Sequence, residues 1–315
     1  PIERRIRPLS ELRAALALYR IFRAKHFDLI HSVSPKAGLL AMLAGFLAGV
    51  PRRLHFFTGQ VWVTSKGLAR NFLKNTDRLI GALATHVLID SPSQRDFLPD
   101  KCKVLGHGSI SGVDTARFKP NVDAKSSVRA GLGIPSRDTV FLYLGRLNRD
   151  KGLLDLAEAF TQLCNQREDI WLVVVGPDEE NMRTAIMQIC EGCSARLKWV
   201  DYTGEPQNFM AAADVFCLPS YREGFGTVVI EAAACGVPAV ASRIYGITDA
   251  IAEDQTGLLH PPGDIDAITA AMSALAANPA LRHRLGNAAR ARAVADFSMP
   301  VLTSALLDFY AKMLN

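Results

Sequence analysis

The sequence predicts an α/β fold made of two Rossmann-like domains, and three observations carry that prediction. Short apolar runs alternate with helical patterns along most of the 315 residues. The run "WLVVVG" at 171–176 shows no polar alternation, as suits a strand of a parallel sheet buried on both faces. Over residues 118–138 the strand pattern stops and polar, Gly and Pro residues take over, which marks a boundary between domains.

The first element is an amphipathic helix in "LSELRAALALYRIFRAKH", residues 9–26, with Ser10 as its expected N-cap. A strand "FDLIHSV" follows, then a helix over 36–48, a strand over 53–57 and a loop "TGQVWVTSKG". A helix over 68–84, a strand over 86–90 and a short helix from Ser93 complete the first domain. The second domain opens with a strand over 140–144 running into "GRLNRDKG". It continues as helix 153–167, strand 171–176, helix 180–190, strand 197–200, helix 206–213 and strand "VFCLPS". A glycine turn leads to a helix from Thr227, then strand "PAVAS" and a helix from Ile265. The expected domains are therefore 1–120 and 121–297, with a last helix in 298–315 crossing back onto the first. Two such domains facing each other across a cleft place ligands at the carboxyl ends of their strands.

No stretch reaches the roughly 18 apolar residues that a membrane span needs, and the longest candidate, 37–50, reads as a buried helix. Pro1 is followed by basic residues without an apolar signal core, so a cytoplasmic location is expected. The six cysteines are scattered and expected as free thiols, and Cys190-Glu-Gly-Cys193 lacks the second ligand pair of a zinc site. Charge is uneven. Residues 1–133 carry 21 Lys and Arg against 9 Asp and Glu, a net +12, while the remainder carries a net −7. A cationic half suits an anionic membrane surface, peripheral to the membrane's inner face, or serves only as a solubilising face. The basic run "RHRLGNAARARA" at 282–293 lies in the acidic half and reads as a solvated helix face, not a nucleic-acid site.

Chemistry is expected in the loops after the strands. Gly224-Phe225-Gly226 connects "VFCLPS" to the helix starting at Thr227, where unsatisfied amides and the helix dipole can seat a phosphate. Arg146 and Lys151 follow the strand at 140–144 and can neutralise a diphosphate, or they are surface residues capping a helix. Glu223 and Glu231 flank the turn; carboxylates accept hydrogen bonds from sugar and ribose hydroxyls, although a first-turn Glu can also serve only the helix dipole.

Together these residues resemble the donor site of retaining glycosyltransferases of the GT-B fold, family four, whose Glu, seven residues, Glu motif matches Glu223 and Glu231. The resemblance runs from "FDLIHSVSPKAGLLA" through "SGVDTARFKP", "FLYLGRLNRDKGL", "LVVVGPDEE" and "AADVFCLPSYREGFGTVVIEAAACGVPAVAS" to "TGLLHPPGD". It implies a nucleotide-diphosphate sugar as donor substrate, with no cofactor and no metal. It implies that Arg146 and Lys151 grip the diphosphate, that Gly145, Gly224, Phe225, Gly226 and Thr227 line the donor, that Glu231 holds the ribose and that Glu223 touches the donor sugar. The acceptor implied is a growing lipid-linked saccharide bound on the side of the first domain. "FFTGQVW" and "GSISGVD" are similar to a variant seen among capsule and O-antigen transferases. In that segment Trp62 and Val63 either touch a sugar or an isoprenoid lipid, or belong to a loop folded over the domain core.

The family's first strand and glycine-rich loop do not precede Pro1, so the chain is expected to be truncated at its start. Thr58 stands where many relatives carry His before Gly59; His55 is not assigned a catalytic role, and His86 and His107 are read as structural. The alternatives are a nucleotide-sugar epimerase or phosphorylase, or a catalytically silent nucleotide-sugar-binding scaffold.

Overall fold

The computed structural model describes residues 8–98 and 101–315. The chain divides into two compact units, Pro1–Ile110 with Leu302–Asn315, and Ser111–Val301.

In the first unit, helix α1 (Pro8–Lys25) leads to β1 (Leu29–Ser32), α2 (Pro35–Leu47), β2 (Arg52–Phe57), α3 (Gly67–Leu83), β3 (His86–Ile89) and β4 (Cys102–Val104). The strands form one parallel sheet in that order. Ser10 lies inside α1 and is not its cap. Alternate strand residues divide between two faces. Ile30, Phe57, Val87 and Ile89 pack with Met42 of α2 and Ile80 of α3, while Leu54, Phe56 and Leu88 point the other way. His55 is fully buried, its Nδ1 2.7 Å from Ser32 Oγ and its ring edge-on to Phe57. Burial, then the nearby His31, hold its pKa down at about 4.

Trp62 corrects one of the two readings of its loop. Its ring is 2% exposed, meets Phe97 edge-on and donates from Nε1 to Asp77 Oδ2 at 2.8 Å. The indole is part of the core, so a sugar does not reach it. The hydrogen bond explains the placement, since a buried indole N–H needs an acceptor.

The second unit holds α4 (Val122–Gly131), β5 (Thr139–Leu144), α5 (Leu153–Cys164), β6 (Ile170–Val175), α6 (Met182–Ile189), β7 (Leu197–Val200) and α7 (Pro206–Ala212). Then come β8 (Val215–Leu218), α8 (Thr227–Ala234), β9 (Ala239–Ser242), α9 (Ile247–Ala250), β10 (Gly257–His260), α10 (Ile265–Ala277) and α11 (Pro279–Phe297). The sheet order is β10-β9-β8-β5-β6-β7, all parallel. Strand order runs outward in both directions from the β5–β8 pair, which makes that pair the topological switch point. The sheet core is apolar throughout, with Phe141, Leu142, Val173, Phe216 and Val240 all nearly inaccessible.

Helix α4 occupies part of the segment read as a boundary between domains. Asn121 Oδ1 caps it by accepting from Ala124 N at 3.0 Å, and buried Arg129 bonds Ala212 O, Asp138 O and Asp214 Oδ2. Helix α11 is not merely a solvated face either. Arg282 reaches the carbonyls of Leu275 and Ala276, Arg290 that of Ala234 and Arg292 those of Asp249 and Ala250, so three helix ends meet guanidinium groups. All six cysteines are free and buried. Helix α12 (Met299–Leu314) closes the chain, and its Leu302 and Met313 pack on Leu54, Phe56 and Leu88 of the first unit.

Candidate active site

The loops that follow β5 and β8 lie on either side of the switch point, and specific contacts tie them together. Gly152 ends the short turn Arg149–Lys151 with φ +66°, and a Cβ there would sit 2.0 Å from the Pro219 carbonyl. Only glycine permits both that backbone conformation and that approach. Tyr221 N donates to Asp150 O at 2.8 Å, Arg222 Nη2 to Asp150 Oδ2 at 2.9 Å, and Tyr221 OH to Asp155 Oδ2 at 2.7 Å.

This bracing brings Lys151 and Glu223 together. Lys151 Nζ lies 2.6 Å from Glu223 Oε1, and Ser220 Oγ donates to the same oxygen at 2.8 Å. Both ionic side chains are largely shielded, 19% and 13% exposed, so the attraction is stronger than in a surface pair. Both donors converge on Oε1.

Immediately beyond, Gly224-Phe225-Gly226 delivers the chain into α8, with Gly226 at φ +75° as its first flanking residue. Among the described residues, none of the amides from Gly224 to Val228 donates to a backbone carbonyl. Those of Thr227 and Val228 are orphan donors of the helix start and form the positive end of its dipole. The Phe225 side chain is buried against Phe297, ring centroids 5.3 Å apart, so it offers a ligand only its backbone. Thr227 begins the helix, half-buried.

Glu231 stands just over one turn into α8. Burial pushes its carboxyl up to about 7, and the positive charge of Arg117 opposes that rise. Arg117 is itself held by Gln207 Oε1 at 3.0 Å and the Gly204 carbonyl at 2.7 Å.

Arg146 is placed differently from Lys151. It pairs with Glu179 on the loop after β6, Nη1 to Oε2 at 3.2 Å, and is half exposed. The two cations therefore engage different acids, on the loops after β6 and β8, the two strands that flank β5. Between them lies Tyr143, whose hydroxyl donates to the Arg146 carbonyl at 2.8 Å and whose ionisation is suppressed by burial and by Glu223. The Gly145 amide is committed to Val175 O at 2.9 Å. Ser220, Tyr143 and the Asp150 braces escaped the sequence reading, because their partners lie far off in the chain and no local pattern links them. Among the described residues, no group of three or more His, Cys, Asp or Glu side chains is placed to hold a metal ion.

Residues 124–292 match the family model described as Glycosyl transferases group 1, and residues 1–101 match a Glycosyl transferase 4-like domain. The chain belongs to the glycosyl transferases group 1 family. Its similarity to the capsular polysaccharide biosynthesis glycosyltransferase CapM of Staphylococcus aureus is 27% identity, covering 100% of this chain and 84% of that protein. It is 26% identical to an Escherichia coli UDP-Gal:alpha-D-GlcNAc-diphosphoundecaprenol alpha-1,3-galactosyltransferase, over 98% of this chain and 82% of that one. Among solved structures, Anabaena HepE in complex with UDP superposes with a TM-score of 0.84 over 95% of this chain and 82% of the other, at 19% identity. The fold of this group 1 transferase is α/β, of the GT-B class.

Proposed function

We propose that this transferase moves a sugar from a nucleotide-diphosphate donor to a growing lipid-linked saccharide, with retained anomeric configuration and without a metal ion. The reading is supported by the salt-bridged pair Lys151–Glu223, set at the start of a helix whose first amides have no backbone acceptor. Relatives whose names specify a capsular polysaccharide or a diphosphoundecaprenol acceptor point to the same substrate class.

In this reading the diphosphate lies at the mouth of α8, with Lys151 and Arg146 supplying positive charge and the amides of Gly224 to Thr227 supplying hydrogen bonds. Gly145, immediately after β5, borders the donor. Glu231 accepts from the ribose hydroxyls. Glu223, anchored through Oε1, turns Oε2 to the donor sugar. The bond between the anomeric carbon and the phosphate oxygen breaks, the acceptor oxygen bonds on the same face, and its proton passes to the departing diphosphate. Lys151 and the helix mouth stabilise the charge that develops on that leaving group.

The test is titration calorimetry with a panel of nucleoside diphosphates, followed by a donor-turnover assay. Nucleotide binding with turnover is expected, and Lys151→Ala should lower turnover by about 10²–10³, as when one preorganised charge donor is lost. Binding without turnover would establish a silent binder instead. Unchanged turnover in Lys151→Ala would remove the pair from the chemistry.

A further inference from the structure

A second cleft opens in the second unit, at the edge of its sheet opposite the loops that carry Lys151 and Glu223. It has a volume of about 370 Å³ and lies between α4, the end of α7, the turn from α8 to β9, and α11, all within that unit. Asp214 and Pro238 on its wall immediately precede β8 and β9, so the cleft faces the amino ends of the strands, whereas Lys151 and Glu223 follow β5 and β8 at their carboxyl ends. Its volume falls within the roughly 300–1,000 Å³ of small-molecule sites.

The wall is cationic. His283, Asn287 and Arg290 are spaced i, i+4 and i+7 on α11 and share one stripe, which Arg282 flanks, and Lys125 of α4 adds a further charge. The acid on the wall, Asp214, is outnumbered: Lys125 Nζ lies 2.9 Å from its Oδ1 and Arg129 Nη2 2.6 Å from its Oδ2. Since α11 lies in the acidic half of the chain, the lining is not part of a general basic excess.

Backbone carbonyls hold both arginines without exhausting them. Arg290 donates from Nη1 to the Ala234 carbonyl at 2.6 Å, and Arg282 donates from Nη1 to those of Leu275 and Ala276. A guanidinium carries five N–H donors in a fixed fork. Among the described residues, Nη2 and Nε of neither arginine has a hydrogen-bond partner, so holding helix ends accounts for Nη1 alone. A guanidinium already fixed at one nitrogen loses little further freedom when it binds an anion. The eight residues from Arg282 to Arg290 span about 12 Å at about 1.5 Å per residue. Positive charge therefore stands at both ends of the stripe, with the Asn287 amide between. A phosphate monoester, with close to two negative charges and three acceptor oxygens at neutral pH, suits such a fork.

We propose that this cleft binds a small bisphosphorylated molecule, with one phosphate on Arg290 and the other on Arg282 and His283, at a site separate from that of the sugar donor. Lys125 adds charge from α4, and Asn287 donates to the part of the ligand between the phosphates.

The experiment is titration calorimetry of the full chain with fructose 1,6-bisphosphate and, separately, with inorganic phosphate, in the absence of nucleotide. Saturable binding of the bisphosphate is expected, at least about tenfold tighter than that of phosphate, and it should weaken with added salt. His283→Glu/Asn287→Glu brings two carboxylates to the wall and should lower the bisphosphate affinity about tenfold or more, at roughly fivefold per close like charge in water. Circular dichroism and thermal melting of this variant should match the parent, since both side chains are exposed. Should it misfold, His283→Glu alone decides, with a loss of about fivefold expected. Lys151→Ala should leave the bisphosphate affinity unchanged. A loss in Lys151→Ala with parent-like binding in the cleft variant would put the anion in the donor site and overturn the proposal. Absent binding, a bisphosphate held no tighter than phosphate, or a cleft variant that binds like the parent overturns it as well.

Discussion

Replacing Glu231 by Gln should stabilise the protein while weakening its hold on donor. Burial moves this carboxyl from the ordinary 4.5 to about 7. The sign follows from linkage: below about pH 4.5 the group is neutral in both states and costs nothing. As pH rises the unfolded chain ionises first, so the penalty grows and is complete above about 7. A displacement of that size corresponds to at most about 3 kcal/mol, which an isosteric neutral amide does not incur. Thermal unfolding followed by circular dichroism should show the variant and parent melting together at about pH 4, and the variant melting roughly 5–10 °C higher at about pH 8.5. Calorimetry on the same samples should show nucleotide affinity reduced by about 10–100-fold, as for loss of a charged hydrogen-bond acceptor. A melting difference that is flat with pH, or a variant less stable than the parent in alkali, would refute the reasoning.

Three further outcomes are expected. Gly152→Ala combines a left-handed backbone with a Cβ 2.0 Å from the Pro219 carbonyl, so urea unfolding should show a loss of at least about 2 kcal/mol. Ser220→Ala leaves Glu223 with Lys151 as its one anchor on Oε1; kcat should fall by about tenfold with nucleotide affinity unchanged, and a change confined to affinity would contradict the positioning role. Trp62→Phe removes the donor to Asp77, whose carboxyl burial already pushes up to about 6. Because that burial penalty applies to the ionised form, the stability lost should grow through pH 6 to about 1–3 kcal/mol. A raised acceptor KM with unaltered stability would instead restore the sugar-contact reading of Trp62.

The sheet of the second unit was legible because its strands are continuous apolar runs: β5, β6, β7 and β9 fall within about a residue of their expected limits. Strands β4 and β10 were not. One has three residues with exposed Lys103 in the middle, and the other opens on Gly257, so neither carries a periodic signal. Helix α4 hid in a polar composition, although Asn121 ahead of it and Gly133 beyond it are cap residues that mark its limits. The glycine turn and both glutamates were readable from local spacing. Arg146 facing Glu179, Ser220 sharing an oxygen with Lys151, and Trp62 sinking onto Asp77 were not, because each depends on which distant side chain tertiary packing supplies.

Helix α8 is eight residues long, roughly 12 Å from mouth to tail. Its far end is tethered by Arg290 to α11, which also holds the ends of α9 and α10 through Arg292 and Arg282. A stiff rod fixed at one end has little freedom to tilt at the other. The aim of the amides that open α8 is therefore set partly by the arginines of α11, which act from the opposite end of the helix.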